Sequence, residues 1–184
     1  MNFNSHLDLI GKHAFLSASQ YHWLNYDANK LAVVFNNVQA KERGTRLHSL
    51  ACECITLGVK LPKVKKTLNL YVNDAIGYKM TPEQILFYSY NCFGTADTIC
   101  FRQKLLRIHD LKTGDTPASM SQLEIYAALF CLEYNINPKS IGIELRIYQH
   151  DEALVHEPNP DDISDIATKI VMFDKQIEKM KIGE

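Results

Sequence analysis

Two acidic residues and a lysine near the middle of the chain have the types and the spacing for phosphodiester chemistry. Asp97 precedes the tripeptide Asp110-Leu111-Lys112 by about a dozen residues. Hydrolysis of a phosphodiester needs a divalent cation that neutralises charge developing on the phosphoryl oxygens and supplies a deprotonated water, and a nearby cation can orient that water. Hard cations such as Mg²⁺ prefer oxygen ligands, commonly one or two carboxylates. In a strand, Asp110 and Lys112 would lie on one face, and Asp97 on the preceding strand could reach the same point.

Each of these residues also has an ordinary structural explanation. A DxK tripeptide is common and can form a salt bridge on a solvated strand, although burying such charges unpaired would be costly. His48 can be a hydrogen-bonded structural histidine, Tyr126 a core residue and Gln122 a solvated one. What is specific is the order of the set, which is Gly94-x-x-Asp97, then Asp110-x-Lys112-x-Gly114, then Gln122-x-x-x-Tyr126.

These segments resemble the motifs of a known nuclease superfamily. FGTADTICF, IHDLKTG and QLEIY resemble the GxxD, DxK and QxxxY motifs of PD-(D/E)XK nucleases, in the branch that holds exonucleases of the RecB and Cas4 type. Upstream, GTRLH ends at His48 and resembles that branch's helical G…H motif. The motifs run in the family's order from about 44 to 126, nearly half of the chain. The resemblance implies a restriction-endonuclease-like α-β-β-β-α-β core and metal-dependent, exonuclease-like hydrolysis of DNA.

The resemblance also implies a set of metal ligands. Asp97 and Asp110 would be carboxylate ligands of Mg²⁺ or Mn²⁺, the backbone carbonyl of Leu111 would add an oxygen, and His48 would complete the site. Glu53 follows His48 by five residues, which turns it about 140° round a helix, so whether it assists the metal is left open.

Three further residues would act on the substrate if the resemblance holds. Lys112 would position the attacking water and stabilise the transition state. The expected catalytic residues are therefore Lys112 and the three metal-binding side chains, Asp97, Asp110 and His48. Gln122 and Tyr126 are one helical turn apart on the same face, and they would contact the nucleic-acid strand near the scissile phosphate.

The elements around these motifs alternate between helical and strand-like patterns. Apolar residues at the three/four spacing predict helices over 16–31 (one or two), 40–57, 64–78, 119–135 and 161–181. Aromatic and β-branched runs predict strands over 84–90, 94–101, 105–112, 141–148 and 153–156. The first three strands are consecutive and expected to be antiparallel. This order predicts a mixed α/β (α+β) fold around one sheet, not a doubly wound repeat.

Length and composition fit one globular domain over 1–184, with a helical part to about 80 and the catalytic sheet and helices after it. Hydrophobic residues make up 46% and charged residues 22% of the chain. No apolar run approaches the roughly 20 residues of a membrane span, and no signal peptide is evident, so we expect a cytoplasmic protein without a membrane partner. Many relatives in the branch hold an iron–sulfur cluster through cysteines near the C-terminus. Here no cysteine follows Cys131, so no cluster is expected.

Net charge does not indicate nucleic-acid binding, because it is only −1. A DNA-binding protein of this composition would have to concentrate positive charge locally, and two stretches could do so. They are the segment from Lys60 to Lys66, and the group Arg102, Lys104 and Arg107.

DNA is the partner that the resemblance implies, with a recombination or single-strand-binding protein as a further candidate. Because the chain has no helicase-like segment, it resembles the short stand-alone nucleases of phages and other mobile elements. Two alternatives stay open: a nuclease-fold module that binds DNA or protein without turnover, and a hydrolase of small phosphorylated molecules.

Overall fold

Five strands form one open sheet whose spatial order follows the chain. The computed structural model describes residues 4–182. The first three strands are antiparallel to one another, β3 and β4 are parallel, and β5 returns antiparallel to β4. The strands are β1 (Thr81–Ser89), β2 (Cys92–Arg102), β3 (Leu105–Leu111), β4 (Gly142–Gln149) and β5 (Glu152–His156).

Helices flank the sheet on both faces. The α-helices in residues 4–182 are α1 (Ala28–Leu57), α2 (Thr67–Gly77), α3 (Ser121–Glu133) and α4 (Pro160–Ile182). Because α3 connects β3 to β4, these two strands can run parallel. Short 3₁₀ helices lie at Leu7–Leu9, Ala18–Asn25 and Pro138–Ser140. The predicted mixed fold, with its α-β-β-β-α-β order and a mixed sheet between helices, is confirmed.

Alternation along β3 sends side chains into two separate cores. Leu106 and Ile108 belong to the core that α3 and α4 cover. Leu111 belongs to the core on the other face, under α1 and α2. Asp110 follows the parity of Ile108, so its carboxylate starts from the α3 face at the end of the strand.

The structure differs from the sequence prediction at two element boundaries. The helical stretch predicted over 16–31 divides into two, the 3₁₀ helix Ala18–Asn25 and the first turn of α1, because Asp27 Oδ1 accepts the Lys30 N–H at 2.7 Å and starts α1 at Ala28. Helix α1 runs to Leu57, so it begins well before the predicted span 40–57 and then continues through that span. β1 begins at Thr81 and not near 84, since an edge strand tolerates a proline, here Pro82, at its start.

The chain divides into two compact units, Met1–Arg43 and Gly44–Glu184. In the first unit, the Trp23 indole N–H donates to the Ser17 carbonyl at 2.9 Å, and the rings of Phe15 and Phe35 meet edge to face. The second unit holds the complete sheet and every residue of the candidate metal centre described below. No helix in the described residues is both long enough and apolar enough to cross a membrane.

The start of α2 is capped by a carboxylate from the turn between β4 and β5. Asp151 Oδ1 accepts the backbone N–H of Thr67 at 2.9 Å and its hydroxyl at 3.1 Å, and Oδ2 pairs with Lys66 at 2.8 Å. The Lys66 ammonium first, and then the Thr67 N–H, lower the pKa of Asp151 to about 2. A carboxyl group whose pKa is lower folded than unfolded stabilises the protein above the unfolded pKa, about 3.9, and loses this effect towards the folded pKa.

We therefore expect Asp151→Asn to lower the free energy of unfolding at neutral pH. The gap between wild type and variant should narrow as pH falls from about 4 to about 2, where the wild-type carboxylate is itself protonated. Urea unfolding at several pH values measures this gap. The control is Asp115→Asn, because the Asp115 carboxylate makes no hydrogen bond or ion pair in the described part of the chain. A gap that stays constant with pH would contradict the assignment.

Candidate metal centre

The centre lies where β2 and β3 separate. Their ladder ends at the pair Thr98 and His109, so the next positions, Asp97 and Asp110, are not paired. The Asp97 side chain enters the gap, and its Oδ2 accepts the backbone N–H of Leu111 at 2.9 Å. This bond replaces a missing strand–strand hydrogen bond and fixes the direction of the carboxylate.

The pleat of β2 is also irregular at this point. Ala96 and Ile99 both pack in the core under α3 and α4, although residues three apart in a regular strand face opposite ways. On the neighbouring strand, Glu83 has a left-handed φ of 50°. In the pairing of β1 with β2, Pro82 lies opposite Thr98 and Gln84 lies opposite Ala96. Glu83, between them, therefore lies across from Asp97.

Two carboxylates directly opposite each other on antiparallel strands repel, so a positive group nearby is expected. His48 of α1 meets this expectation, because its Nδ1 lies 3.4 Å from Asp97 Oδ2. Asp97 raises the pKa of His48, against the opposite effect of burial. Burial first, and then the Asp97 charge, raise the pKa of Glu83.

One ligand atom from each of His48, Glu83 and Asp97 lies within 4.8 Å of the other two, so this triad could hold a metal ion. One imidazole nitrogen and two carboxylate oxygens suit a divalent cation. Imidazole favours transition metals and carboxylates favour Mg²⁺, Ca²⁺ and Mn²⁺, so the mixed set fits Mn²⁺ at least as well as Mg²⁺.

Lys112 and Asp110 form an ion pair next to the triad. Lys112 Nζ lies 3.1 Å from Asp110 Oδ1 and 2.9 Å from Oδ2. The Oδ2 atom is buried and has no partner with hydrogen-bond geometry, so Lys112 meets it as a charge only. The Asp110 side chain is 4% exposed. Burial and then the Asp97 charge raise the pKa of Asp110, and Lys112 opposes both effects.

A chain of hydrogen bonds continues from Lys112 onto α3. Its ammonium donates to Gln122 Oε1 at 2.9 Å, and Gln122 Nε2 donates to the Tyr126 hydroxyl at 3.1 Å. Gly94 explains the position of Tyr126, because a Cβ on Gly94 would lie 2.8 Å from Tyr126 Cε1. The glycine of the GxxD motif thus leaves room for the tyrosine of the QxxxY motif.

The glycine of the G…H motif has a similar close contact. A Cβ on Gly44, which is buried in α1, would lie 2.8 Å from the Thr113 hydroxyl oxygen, in the residue after Lys112. Alanine in place of a helix glycine normally stabilises by about 1 kcal/mol, but overpacking costs about 1–3 kcal/mol. We therefore expect Gly44→Ala alone to destabilise the protein by about 1 kcal/mol.

The same substitution should become stabilising in a Thr113→Ala background, which removes the hydroxyl that the new methyl group meets. Urea unfolding of the two single variants and the double variant measures this coupling. Additive effects of the two substitutions would show that the close contact does not matter.

The structure therefore brings most of the predicted site residues into one area. His48 and Asp97 lie together, as do Lys112 and Asp110, and Gln122 connects Lys112 to Tyr126. Asp110 is not in the cluster of ligand atoms around His48, so its role as a ligand stays a prediction, as does that of the Leu111 carbonyl. The His109 side chain lies on the face of the sheet opposite that of Asp110, with its Nδ1 3.3 Å from the Tyr148 hydroxyl.

Glu83 is the ligand candidate that the sequence analysis missed. It follows Pro82 just before the strand-like pattern begins, and nothing in its spacing connects it to Asp97. Only the pairing of β1 with β2 does so. Glu53, the other glutamate that was considered, is exposed and is not in the cluster of ligand atoms.

Comparisons of this chain with protein-family models, with curated proteins and with solved structures gave no match in any of the three.

Proposed function

We propose that this protein is a metal-dependent nuclease that hydrolyses DNA phosphodiester bonds, of the PD-(D/E)XK superfamily and its RecB-type branch. The observation that supports this most is one of position. A possible metal-binding triad of His48, Glu83 and Asp97 lies beside a buried Asp110–Lys112 pair, at the point where two strands separate. DNA as the polymer, and exonuclease-like action, follow from the motif resemblance.

The chain's own residues divide the work between binding and orientation. His48, Glu83 and Asp97 would hold a divalent cation, which supplies charge neutralisation at the phosphoryl group and a more acidic water. Asp97 is kept in place for this by the Leu111 N–H.

Lys112 would contact the reacting phosphate. Its bonds to Asp110 and Gln122 use two of its three N–H donors, which leaves a third for a phosphoryl oxygen or the attacking water. The ion pair with the buried Asp110 restricts the direction of the ammonium. A preorganised donor of this kind stabilises charge that develops in the transition state.

Space for a substrate adjoins Lys112. A cavity of about 260 Å³ opens there, between the end of β3, the start of α2 and the β4–β5 turn. It is lined by Leu47, Thr67, Leu111, Lys112, Thr113 and His150.

The experiment that tests the proposal is a cleavage assay on linear duplex, circular duplex and single-stranded DNA. Each substrate is incubated with Mg²⁺, with Mn²⁺ and with EDTA, and the Asp110→Asn protein is run in parallel to detect a contaminating nuclease. We expect cleavage with Mn²⁺ and Mg²⁺, none with EDTA, and little with the variant. Cleavage of linear but not circular DNA would show exonuclease action.

Other outcomes would replace the proposal with one of its alternatives. If the folded, metal-loaded protein binds DNA or a protein without cleaving any substrate, the chain is a binding module on this fold. If it hydrolyses nucleotides but no polymer, it is a hydrolase of small phosphorylated molecules.

A further inference from the structure

An open cleft of about 630 Å³ lies at the far end of β2 and β3 from the metal centre. It is lined by Tyr78, Lys79, Arg102, Gln103, Leu105 and Arg107, and we call it the basic cleft. None of its lining residues is acidic. Arg102 and Arg107 belong to one of the two stretches that could concentrate positive charge in a chain of net charge −1.

The cations that line the basic cleft, and Lys104 beside it, are mostly not neutralised by neighbouring acids. Arg107 pairs with Glu144 at 2.9 Å, but that carboxylate also pairs with Arg146 at 3.0 Å and so serves two guanidinium groups. Lys79, Arg102 and Lys104, which follows Gln103 in the β2–β3 turn, make no ion pair within residues 4–182.

The other basic stretch contrasts with this cleft. Lys65 pairs with Glu152 at 3.4 Å, and Lys66 pairs with Asp151 at 2.8 Å. Two of its charges therefore have a carboxylate partner at the protein surface, whereas Lys79, Arg102 and Lys104 have none in residues 4–182.

The two lysines at the basic cleft, Lys79 and Lys104, occupy backbone positions that favour glycine. Lys79 follows the C-cap of α2 with φ of 55°, and the Met80 N–H closes the turn on the Ala75 carbonyl at 2.9 Å. Gln103 and Lys104 form a two-residue hairpin turn in which both φ angles are positive, 50° and 60°. A side chain here strains the backbone, so local backbone stability does not favour lysine at either position.

We propose that the basic cleft binds phosphates of a nucleic-acid strand that also reaches the metal centre. The inference rests on the proposed function and adds a contact remote from the scissile bond. Arg102 is five strand residues from Asp97, which corresponds to about 16 Å, or about five base-pair steps of DNA. Positive charge at this distance attracts a polyanion to a protein whose metal centre is itself rich in carboxylates.

The glycine-favouring positions allow variants that remove charge without weakening the fold. In the variant Lys79→Gly/Arg102→Gln/Lys104→Gly, three positive charges are lost and two left-handed residues become glycine, so its melting temperature should equal or exceed that of wild type. Two controls separate charge from strain. Asn135→Gly relaxes a left-handed residue (φ 52°) without a charge change, and Lys179→Gln removes one exposed charge on α4.

Binding is measured by fluorescence anisotropy in EDTA, with a labelled single-stranded oligonucleotide, a labelled duplex and a labelled dinucleotide that is too short to span both sites. We expect the triple variant to bind the single strand at least about tenfold more weakly at low salt, with its log–log salt slope reduced by about 2. The controls should bind like wild type, and binding of the dinucleotide should not distinguish the variant from wild type.

Equal affinity and salt slope for the triple variant and wild type would overturn the inference, and so would a wild type that binds no nucleic acid. Because binding is measured without catalysis, the two proposals fail separately. If the wild type cleaves DNA and the triple variant binds the oligonucleotide as tightly as the wild type does, only the proposal for the basic cleft is refuted. A wild type that cleaves nothing, but whose binding depends on these cations, refutes only the nuclease.

Discussion

Replacing Lys112 should reduce metal-dependent DNA cleavage by at least about 10³-fold while the protein remains folded. The Lys112 ammonium forms an ion pair with Asp110 and also reaches Gln122. Without it, the site would lose the ammonium that orients the attacking water and stabilises charge on the phosphoryl oxygens. Loss of a single preorganised donor commonly costs about 10²–10³-fold in rate, and a charged donor is expected to lie at or above the upper end.

The choice of substitution matters here, because Asp110 is buried. Lys112→Ala leaves a buried carboxylate without its partner, which can cost about 3–5 kcal/mol of stability. Lys112→Gln removes the charge but keeps an N–H donor, on a shorter side chain, that can still reach towards Asp110, so it tests catalysis in a protein that should be more stable than Lys112→Ala. Lys179→Gln on α4 is the matched control. Single-turnover cleavage rates and melting curves are measured together, and cleavage by the folded Lys112→Gln protein at the wild-type rate would show that Lys112 is not catalytic.

The second large effect should be stabilisation by metal. Glu83 and Asp97 face each other across β1 and β2 with His48 beside them, so a cation that binds all three relieves repulsion as well as gaining ligands. At a free concentration of about a hundred times its Kd, such a ligand adds about 2.7 kcal/mol. For a domain of this size that corresponds to a rise in melting temperature of about 5–11 °C. Mn²⁺ should act at lower concentration than Mg²⁺, since one ligand is an imidazole.

Two glutamates provide a matched pair of variants for this measurement. Glu83→Gln should raise the concentration of Mn²⁺ needed for half of the thermal shift by at least about tenfold. Glu53→Gln, which changes an exposed residue outside the triad, should leave it unchanged. Asp97→Asn should abolish the shift. The reverse result for the two glutamates would mean that the metal is held from α1 and not from β1.

The fold was predictable because its elements have regular periodicity. In β3, alternation separates Leu106 and Ile108 from Leu111, and the two groups pack in different cores. Boundaries were less predictable where one local hydrogen bond decides them. The Lys30 N–H donates to the Asp27 carboxylate, and α1 therefore starts twelve residues before the predicted 40–57 helix. The spacing of apolar residues does not indicate this start.

The site was predictable only as far as motifs describe it. The order of Asp97, Asp110 and Lys112 indicated which residues should meet. Glu83 could not be found in this way, because its place in the triad depends on the register of β1 against β2 and on its own left-handed backbone. Likewise, sequence can mark Gly94 as part of a motif, but only the contact with Tyr126 explains why a side chain there is excluded.

The bond between the Leu111 amide and the Asp97 carboxylate gives the centre a built-in spectroscopic reporter. Most amides within a sheet are bonded to a backbone carbonyl, whereas this one is bonded to a candidate ligand. Diamagnetic Mg²⁺ bound to Asp97 Oδ2 would withdraw electron density from that oxygen and so weaken this bond. The amide resonance of Leu111 should therefore move, and its proton should exchange faster with solvent, while the neighbouring amides of β3 change little. Occupancy of the centre could then be read from one nuclear magnetic resonance signal, without substrate and without turnover.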